Sequence, residues 1–212
     1  LSIGTGVTNI GTAAFYYCAR LTSVTIPPSV VNIGSQAFYQ CIGLKNLTIG
    51  NSVTNIGDSA FQLCTNLPSL TIPDSVSRIE NSAFASCSGL TKVTIPDGVR
   101  NIGNEVFSNC RKLVSVTIGN GVRSISANAF QSCTSLTSVT IGDSVTNISI
   151  GAFSTCSSLA TLTIPNSVIS IGNYAFEYCG RLGNVTIGNS VTSIGNNAFN
   201  YCTYLTNVTM GN

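Results

Sequence analysis

The nine cysteines are the residues of this chain that could take part in the widest range of chemistry. Cysteines can pair as disulfides, hold zinc or supply a nucleophilic thiolate. Here they recur at every 23rd residue, without a Cys-x-x-Cys pair and without a histidine anywhere in the 212 residues. Stacked side chains at one repeat position do not offer the dihedral angle of a disulfide, so we expect a column of buried, reduced thiols. The column consists of Cys18, Cys41, Cys64, Cys87, Cys110, Cys133, Cys156, Cys179 and Cys202.

Other reactive groups do not converge in the sequence. A catalytic site needs unlike groups with tuned acidity in one place. The chain lacks histidine, paired carboxylates in one neighbourhood, a nucleophile elbow and a phosphate-binding loop. The Asn and Asp residues that follow each predicted strand include too few carboxylates for calcium and are typical of turns. We therefore predict that the chain is not an enzyme and has no cofactor and no metal site.

The charge content excludes two further classes of partner. Nine Lys/Arg and seven Asp/Glu give a net charge of +2, and only 8% of the residues are charged. Nucleic-acid binders neutralise phosphates with many basic groups, so we expect no nucleic-acid partner. No apolar stretch approaches the ~18 residues that indicate a membrane-spanning helix, so we expect this chain not to cross a membrane.

Five basic residues fall within about two and a half repeats. Arg100 and Arg123 share one repeat position, and Arg78 lies one position later in the preceding repeat. Arg111 and Lys112 end a middle repeat. This group could receive an acidic partner or a sulfated glycan. The alternative is ordinary solubilising charge on a protein with few charges, because two glutamates also interrupt the group.

The outward side of the predicted strands carries a threonine at almost every repeat, and Lys45 and Lys92 are its only charges. A flat, nearly uncharged surface could contact a protein or a glycan, and Lys92 is a candidate contact. The alternative is that β-branched threonine simply stabilises the strands on a solvated face.

Tyrosines are restricted to the two ends of the chain. Tyr16 and Tyr39 share one repeat position, Tyr178 and Tyr201 share another, and Tyr174 lies nearby. Clustered, exposed tyrosine is typical of protein contact surfaces. The alternative is that these rings fill grooves between the end repeats.

An internal repeat organises the whole chain. All nine phenylalanines, like the cysteines, are 23 residues apart, and Phe38, Phe61, Phe84 and Phe107 represent the ladder. The spacing predicts a partial repeat at residues 1–20, eight full repeats at 21–204 and a partial repeat at 205–212, all in one domain. Because the chain begins with Leu1 and is cut within a repeat at both ends, we expect it to be a fragment of a longer protein.

Each unit reads L-x-x-[VL]-T-I-[PG]-x-[SG]-V-x-x-I-x-x-x-[AV]-F-x-x-C-x-x. The alternation in V-T-I predicts a short strand, and V-x-x-I predicts a second extended segment. The inward spacing in A-F-x-x-C predicts a helix of about two turns. We therefore predict an α/β repeat solenoid, a leucine-rich-repeat arc with a stacked parallel β-sheet on one face and short helices on the other.

The unit resembles the leucine-rich repeats of the BspA-like family, also called the treponemal-type class. The resemblance rests on L-x-x-V-T-I-P, S-V-x-x-I-G and A-F-x-x-C, and it extends over all 212 residues. It implies an extracellular or cell-surface protein that binds host cells and matrix proteins such as fibronectin or laminin. The family pattern specifies scaffold positions only, so it supplies no binding residues.

Two other functions fit the sequence. A structural spacer would hold another domain away from the cell surface, and substitutions on its surface would leave adhesion unchanged. A glycan-binding surface based on the arginines would show a steep dependence on salt, because ionic contacts are screened.

Overall fold

The computed structural model describes residues 1–211, and in it the chain winds into stacked coils, one for each 23-residue unit. Every strand pair is parallel and joins residues 23 apart; Val93 lies beside Val116, for example. Such stacking makes each coil bury its apolar side chains against its neighbours. The predicted solenoid of stacked parallel strands is therefore confirmed.

The first side of each coil, which we call the front face, is formed by the L-x-x-V-T-I segment. Its strands alternate inward Val or Ile with outward Thr, and Thr163 and Thr186 are exposed neighbours on adjacent strands. The front-face strands are β2 (Ser23–Thr25), β4 (Asn46–Thr48), β7 (Lys92–Ile95), β9 (Ser115–Ile118), β11 (Ser138–Thr140), β13 (Thr161–Ile164), β15 (Asn184–Ile187) and β17 (Asn207–Met210).

The second side, the side face, is formed by the V-x-x-I segment, which yields the second extended element that the sequence predicts. These two-residue strands form two sheets, in the orders β1–β3–β5–β6–β8 and β10–β12–β14–β16. The side-face strands are β1 (Asn9–Ile10), β3 (Asn32–Ile33), β5 (Asn55–Ile56), β6 (Arg78–Ile79), β8 (Asn101–Ile102), β10 (Ser124–Ile125), β12 (Asn147–Ile148), β14 (Ser170–Ile171) and β16 (Ser193–Ile194).

The front face is divided into three sheets, β2–β4, β7–β9–β11 and β13–β15–β17. Between β4 and β7 the segment Ser69–Ile72 forms no strand, and Pro68 precedes it. One coil earlier, the N–H of Lys45 donates to the carbonyl of Thr22 at 2.9 Å. Pro68 occupies the position of Lys45 and cannot make this bond, because proline has no N–H. We call this interruption the proline seam. A second one separates β11 from β13.

The core is a set of ladders that run along the stack. Nine phenylalanine rings, from Phe15 to Phe199, stack with centroids 5.0–5.6 Å apart and planes within 10° of parallel. Phe38, Phe61 and Phe84 are completely buried, and the aliphatic positions of each coil surround the rings. Removal of this apolar surface from water is the main stabilising contribution, and it depends on neighbouring coils.

The prediction of short helices is wrong. The third side of each coil, the turn face, contains A-F-x-x-C and consists of consecutive turns in the described residues. In one coil the N–H groups of Ala37, Tyr39 and Cys41 each donate to the carbonyl three residues earlier, at 3.1–3.2 Å. Gln36 and Gln40 have positive φ angles of 56°. A left-handed residue interrupts an α-helix, so the turns do not join into one.

The alternate N–H groups explain why turns replace a helix. Gln36, Phe38 and Gln40 donate to carbonyls of the next coil at 2.7–2.9 Å instead of bonding within their own coil. Half of the donors on the turn face therefore join adjacent coils, as in a sheet. An α-helix would direct every N–H along its own axis and would leave the coils joined here only by side chains. Inward spacings of one, three and four residues fit both conformations, which is why the pattern misled.

Candidate functional site

The cysteine column is largely buried, and its buried thiols are hard to ionise. For eight of the nine cysteines, Sγ lies 3.1–3.4 Å from the carbonyl oxygen of the phenylalanine 26 residues earlier. Burial raises the pKa of Cys87 from 9.0 to about 12, and it raises the pKa of Cys110 well above 9.0. All nine cysteines are free, and Cys18 at the start of the column is exposed. Because the thiolate is the nucleophile and the metal ligand, the buried thiols are structural.

The Asn and Asp residues at the corner after each front-face strand join neighbouring coils. Oδ1 of Asp97 accepts the main-chain N–H of Asn120 at 2.6 Å, and Oδ1 of Asn120 accepts that of Asp143 at 2.9 Å. These side chains stabilise the corner by satisfying a donor of the next coil. Within residues 1–211, no group of three or more His, Cys, Asp or Glu could hold a metal ion. No helix in this range is long and apolar enough to span a membrane.

Three of the candidate basic residues lie on the side face. Arg78 is in β6, beside Asn101 of β8, and its guanidinium is 3.7 Å from the Glu80 carboxylate. Arg100 and Arg123 immediately precede β8 and β10, and both are exposed. Arg78–Glu80 is the one ion pair among the described residues, so Arg100 and Arg123 face solvent without a carboxylate within 4 Å.

The other candidate basic residues lie elsewhere on the coils. Lys92 begins β7 on the front face, next to Ser115 of β9. Arg111 and Lys112 lie in the loop that leads into β9, and all three basic residues are exposed. Proximity along the chain groups Arg111 and Lys112 with the side-face arginines. The fold places them at the entrance to the front face, so the basic residues form two groups on different sides of the coils.

The tyrosines stack in pairs on the turn face. The rings of Tyr16 and Tyr39 have centroids 4.9 Å apart, and those of Tyr178 and Tyr201 are 4.6 Å apart. Tyr178 is 48% exposed and Tyr201 is 57% exposed. Tyr174, Tyr178 and Tyr201 have φ angles of 56–58°. The left-handed backbone therefore positions three large rings on the outside of the last coils.

The sequence reasoning overlooked the proline seam as a surface feature. Cavities of about 490 and 380 Å³ lie on either side of it, and Thr71, Ile72 and Asp74 line both. Lys92 lines the second cavity. A proline inside an otherwise regular strand pattern was the available signal, because proline is normally excluded from central strands.

Comparison with known proteins addresses the scaffold. Residues 8–137 and 123–212 match the family described as "BspA type Leucine rich repeat region (6 copies)". The chain belongs to the BspA-type leucine-rich-repeat family. A search of curated protein sequences finds no match.

Solved structures of leucine-rich-repeat proteins are similar to this chain. A Treponema pallidum leucine-rich-repeat protein is 29% identical over 75% of this chain and 77% of that chain, with a TM-score of 0.72. A Bacteroides ovatus leucine-rich-repeat protein is 25% identical over 98% and 71%, with a TM-score of 0.55. A leucine-rich cell surface protein of Faecalibacterium prausnitzii is 27% identical over 100% and 78%, with a TM-score of 0.49.

In this BspA-type chain the buried core positions recur from coil to coil, and so do the outward threonines of the front face. Leucine-rich-repeat solenoids are typically binding modules without catalytic chemistry, and they generally bind proteins. Other exposed positions differ from coil to coil, as Arg123 and Ile169 show at one shared position. Selective recognition of one partner over another must therefore depend on those exposed, variable residues.

Proposed function

We propose that this BspA-type chain is an extracellular adhesion module that binds proteins at the cell surface, with host cells or matrix proteins such as fibronectin or laminin as targets. The observation that carries the proposal is the exposed stack of Tyr178 and Tyr201, with ring centroids 4.6 Å apart. The family supports a protein-binding role, and the surface location is what the resemblance of the repeat unit implies.

The physical argument concerns what the rings would do in a complex. Interface hot spots are enriched in Tyr, Trp and Arg, because a large ring buries much apolar area while its hydroxyl keeps a hydrogen bond. Tyr178 and Tyr201 are held by a regular main chain and by each other, so little conformational entropy remains to be lost on binding. Tyr174 lies one turn away on the same coil as Tyr178 and extends the aromatic surface.

The test is binding of the purified chain to immobilised fibronectin and laminin by surface plasmon resonance, at low and physiological salt. The informative variant is Tyr178→Asn combined with Tyr201→Asn. Asn109 occupies the same repeat position with a φ of 60°, so asparagine fits this backbone. Loss of two hot-spot rings should weaken binding by at least about tenfold. A matched control is Tyr16→Ser, which removes a ring from the stacked pair at the other end; equal loss in both variants would argue against a specific surface.

A sulfated glycan is the second candidate ligand, because Arg100 and Arg123 project from adjacent coils without an acidic partner. Immobilised heparin tests this candidate. Replacing both arginines by Thr, the residue of Thr54 and Thr146 at the same repeat position, should abolish binding that is strongly salt-dependent. Absence of binding to all three ligands would favour the structural spacer.

A further inference from the structure

We propose that the proline seam on the front face is a docking site for an extended polypeptide segment that carries one acidic and one basic side chain. The inference rests on the proposed protein-binding function and assigns it a location and a ligand chemistry. It depends on three features: free main-chain groups, two opposite charges without partners, and cavities with an apolar floor.

The main chain at the seam has unused hydrogen-bonding groups. Within the described part of the chain, no N–H of Ser69–Ile72 donates to an adjacent coil. The neighbouring strands β7 and β9, by contrast, pair along their full length from Lys92 to Ile95. Main-chain donors and acceptors seek partners, and here water or a ligand must supply them. A polypeptide offers both kinds of group along its own main chain.

Two side chains of opposite charge line the cavity of about 380 Å³ at the proline seam. Lys92 and Asp74 line one cavity, and neither forms an ion pair or a hydrogen bond in the described structure. Asp74 differs from Asp97, its equivalent in the next coil, whose carboxylate accepts the N–H of Asn120. In the described structure the N–H of Asp97 does not donate to Asp74, so the carboxylate of Asp74 is left free for a ligand.

The side chains that line the site suit an extended polypeptide. Leu70 and Ile72 point into the core and are nearly buried, whereas Thr71 and Thr94 face outward beside them. Lys92 and Asp74 occupy the third and eighth positions of their units, so they lie at opposite ends of the strand path. An extended peptide rises about 3.3 Å per residue, and charges four residues apart span about 13 Å on one face. The third and eighth positions are five residues apart, which is at most about 16 Å along an extended strand, so flexible side chains on a segment with this spacing can reach both charges.

A sulfated glycan is the less suitable occupant, because its anions would meet the carboxylate of Asp74 as well as the ammonium of Lys92. The second front-face interruption is also less suitable. The groove of about 910 Å³ beside it is lined by Thr163, Thr186, Thr209 and Asp143, and its lining includes no lysine or arginine. Of the two interruptions, the proline seam is the one whose cavity lining combines both charges.

The experiment is a titration of the ¹⁵N-labelled chain, monitored by NMR, with the probe peptide acetyl-Glu-Thr-Val-Thr-Lys-amide and with its reversed sequence. We expect saturable shifts centred on Ser69–Ile72 and Thr94 for at least one orientation. The uncharged peptide acetyl-Gln-Thr-Val-Thr-Gln-amide should bind at least tenfold more weakly. Shifts spread over the surface, or no shifts at millimolar peptide, would overturn the proposal. A heparin disaccharide that shifts the seam residues more strongly than either peptide would overturn it in favour of a glycan.

Substitutions taken from other repeats keep the scaffold intact. Lys92→Ser, the residue of Ser115 in β9, and Asp74→Asn should each weaken binding about tenfold. The controls Lys45→Thr and Asp97→Asn each remove one charge from a residue that does not line the seam cavities, and they should leave affinity within twofold. Pro68→Thr supplies the missing N–H and should close the seam, so peptide affinity should fall about tenfold while the urea midpoint does not decrease. Unchanged affinity in Pro68→Thr would refute the role of the seam.

The outcomes separate this inference from the proposed adhesion function. Matrix binding that depends on the tyrosine stack, with no peptide binding at the seam, refutes the docking site alone. Peptide binding at the seam, with no affinity for any immobilised matrix protein, refutes the adhesion targets and leaves the docking site standing.

Discussion

The buried thiol column should make the fold sensitive to alkali. Burial raises the pKa of Cys87, Cys133 and Cys179 from 9.0 to about 12. Above pH 9 these thiols ionise in the unfolded chain but stay protonated in the folded one. The unfolded state then binds fewer protons, so the free energy of unfolding falls as pH rises. This contribution is fully present below pH 9 and is lost as pH approaches 12.

The magnitude follows from the two pKa values. At pH 10, a thiol with a pKa of 9.0 when unfolded and about 12 when folded loses about 1.4 kcal/mol of stabilisation, so three lose about 4 kcal/mol. Urea titrations at pH 7 and pH 10, with a phosphine reductant and far-UV circular dichroism, measure the loss. Replacing Cys87, Cys133 and Cys179 together by Ala should reduce the loss by that amount.

Comparing variants isolates the contribution of the replaced thiols, because all other side chains are common to the variants. Cys18→Ala is the matched control, since Cys18 is the exposed member of the column. Because this variant keeps every buried thiol, it should lose as much stability between pH 7 and pH 10 as the parent chain. If the triple variant also loses as much stability as the parent, the buried thiols do not govern the alkaline response, and the reasoning from burial is wrong.

Three further predictions test the packing. Phe107→Ala removes a completely buried ring from the middle of the ladder and should lower the free energy of unfolding by about 3–5 kcal/mol; Phe15→Ala, in the half-buried first ring, should cost clearly less in the same urea titration. Gly57→Ala would place a Cβ 2.7 Å from main-chain atoms of the preceding coil and should destabilise by about 1–3 kcal/mol, whereas Gly11→Ala meets no atom within 4 Å and should be nearly neutral. In native protein at pH 8, a thiol-reactive dye should label Cys18 rapidly and the buried cysteines hardly at all, while urea-unfolded protein should react at all nine.

The repeat pattern predicts the fold to the level of the coil because each inward position recurs every 23 residues and is buried only against the same position of the neighbouring coils. Val24 and Ile26 alternate with Thr25, which determines a strand, and stacking like on like determines parallel pairing in register. Phenylalanine and cysteine can form ladders only if each coil repeats the same path. These constraints leave little freedom for the front and side faces.

The turn face and the candidate site depend on information that the pattern lacks. Inward spacing in A-F-x-x-C does not report whether an N–H bonds within its coil or to the next one. For the basic residues, proximity along the chain does not give proximity in space, because Arg111 and Arg100 lie on different sides of a coil. The proline seam is a departure from the repeat, and reasoning from the consensus overlooks departures even though they give one coil its identity.

The left-handed residues of the turn face allow a test that distinguishes a helix from a series of turns, because the two conformations predict opposite effects of the same substitutions. Ser86 has a φ of 59°, and its N–H donates to the carbonyl of Ser108 in the next coil. In a helix, Ala at this position would be more stable than Gly by about 1 kcal/mol. In the left-handed region a Cβ costs roughly 1–2 kcal/mol, and the greater freedom of glycine in the unfolded chain offsets part of this cost. The free energy of unfolding of Ser86→Gly should therefore be higher than that of Ser86→Ala by about 1 kcal/mol. Ser88, two residues later, has no positive φ, so Ser88→Ala should be the more stable variant there. If Ala is preferred at both positions in urea titrations, the turn face is helical after all.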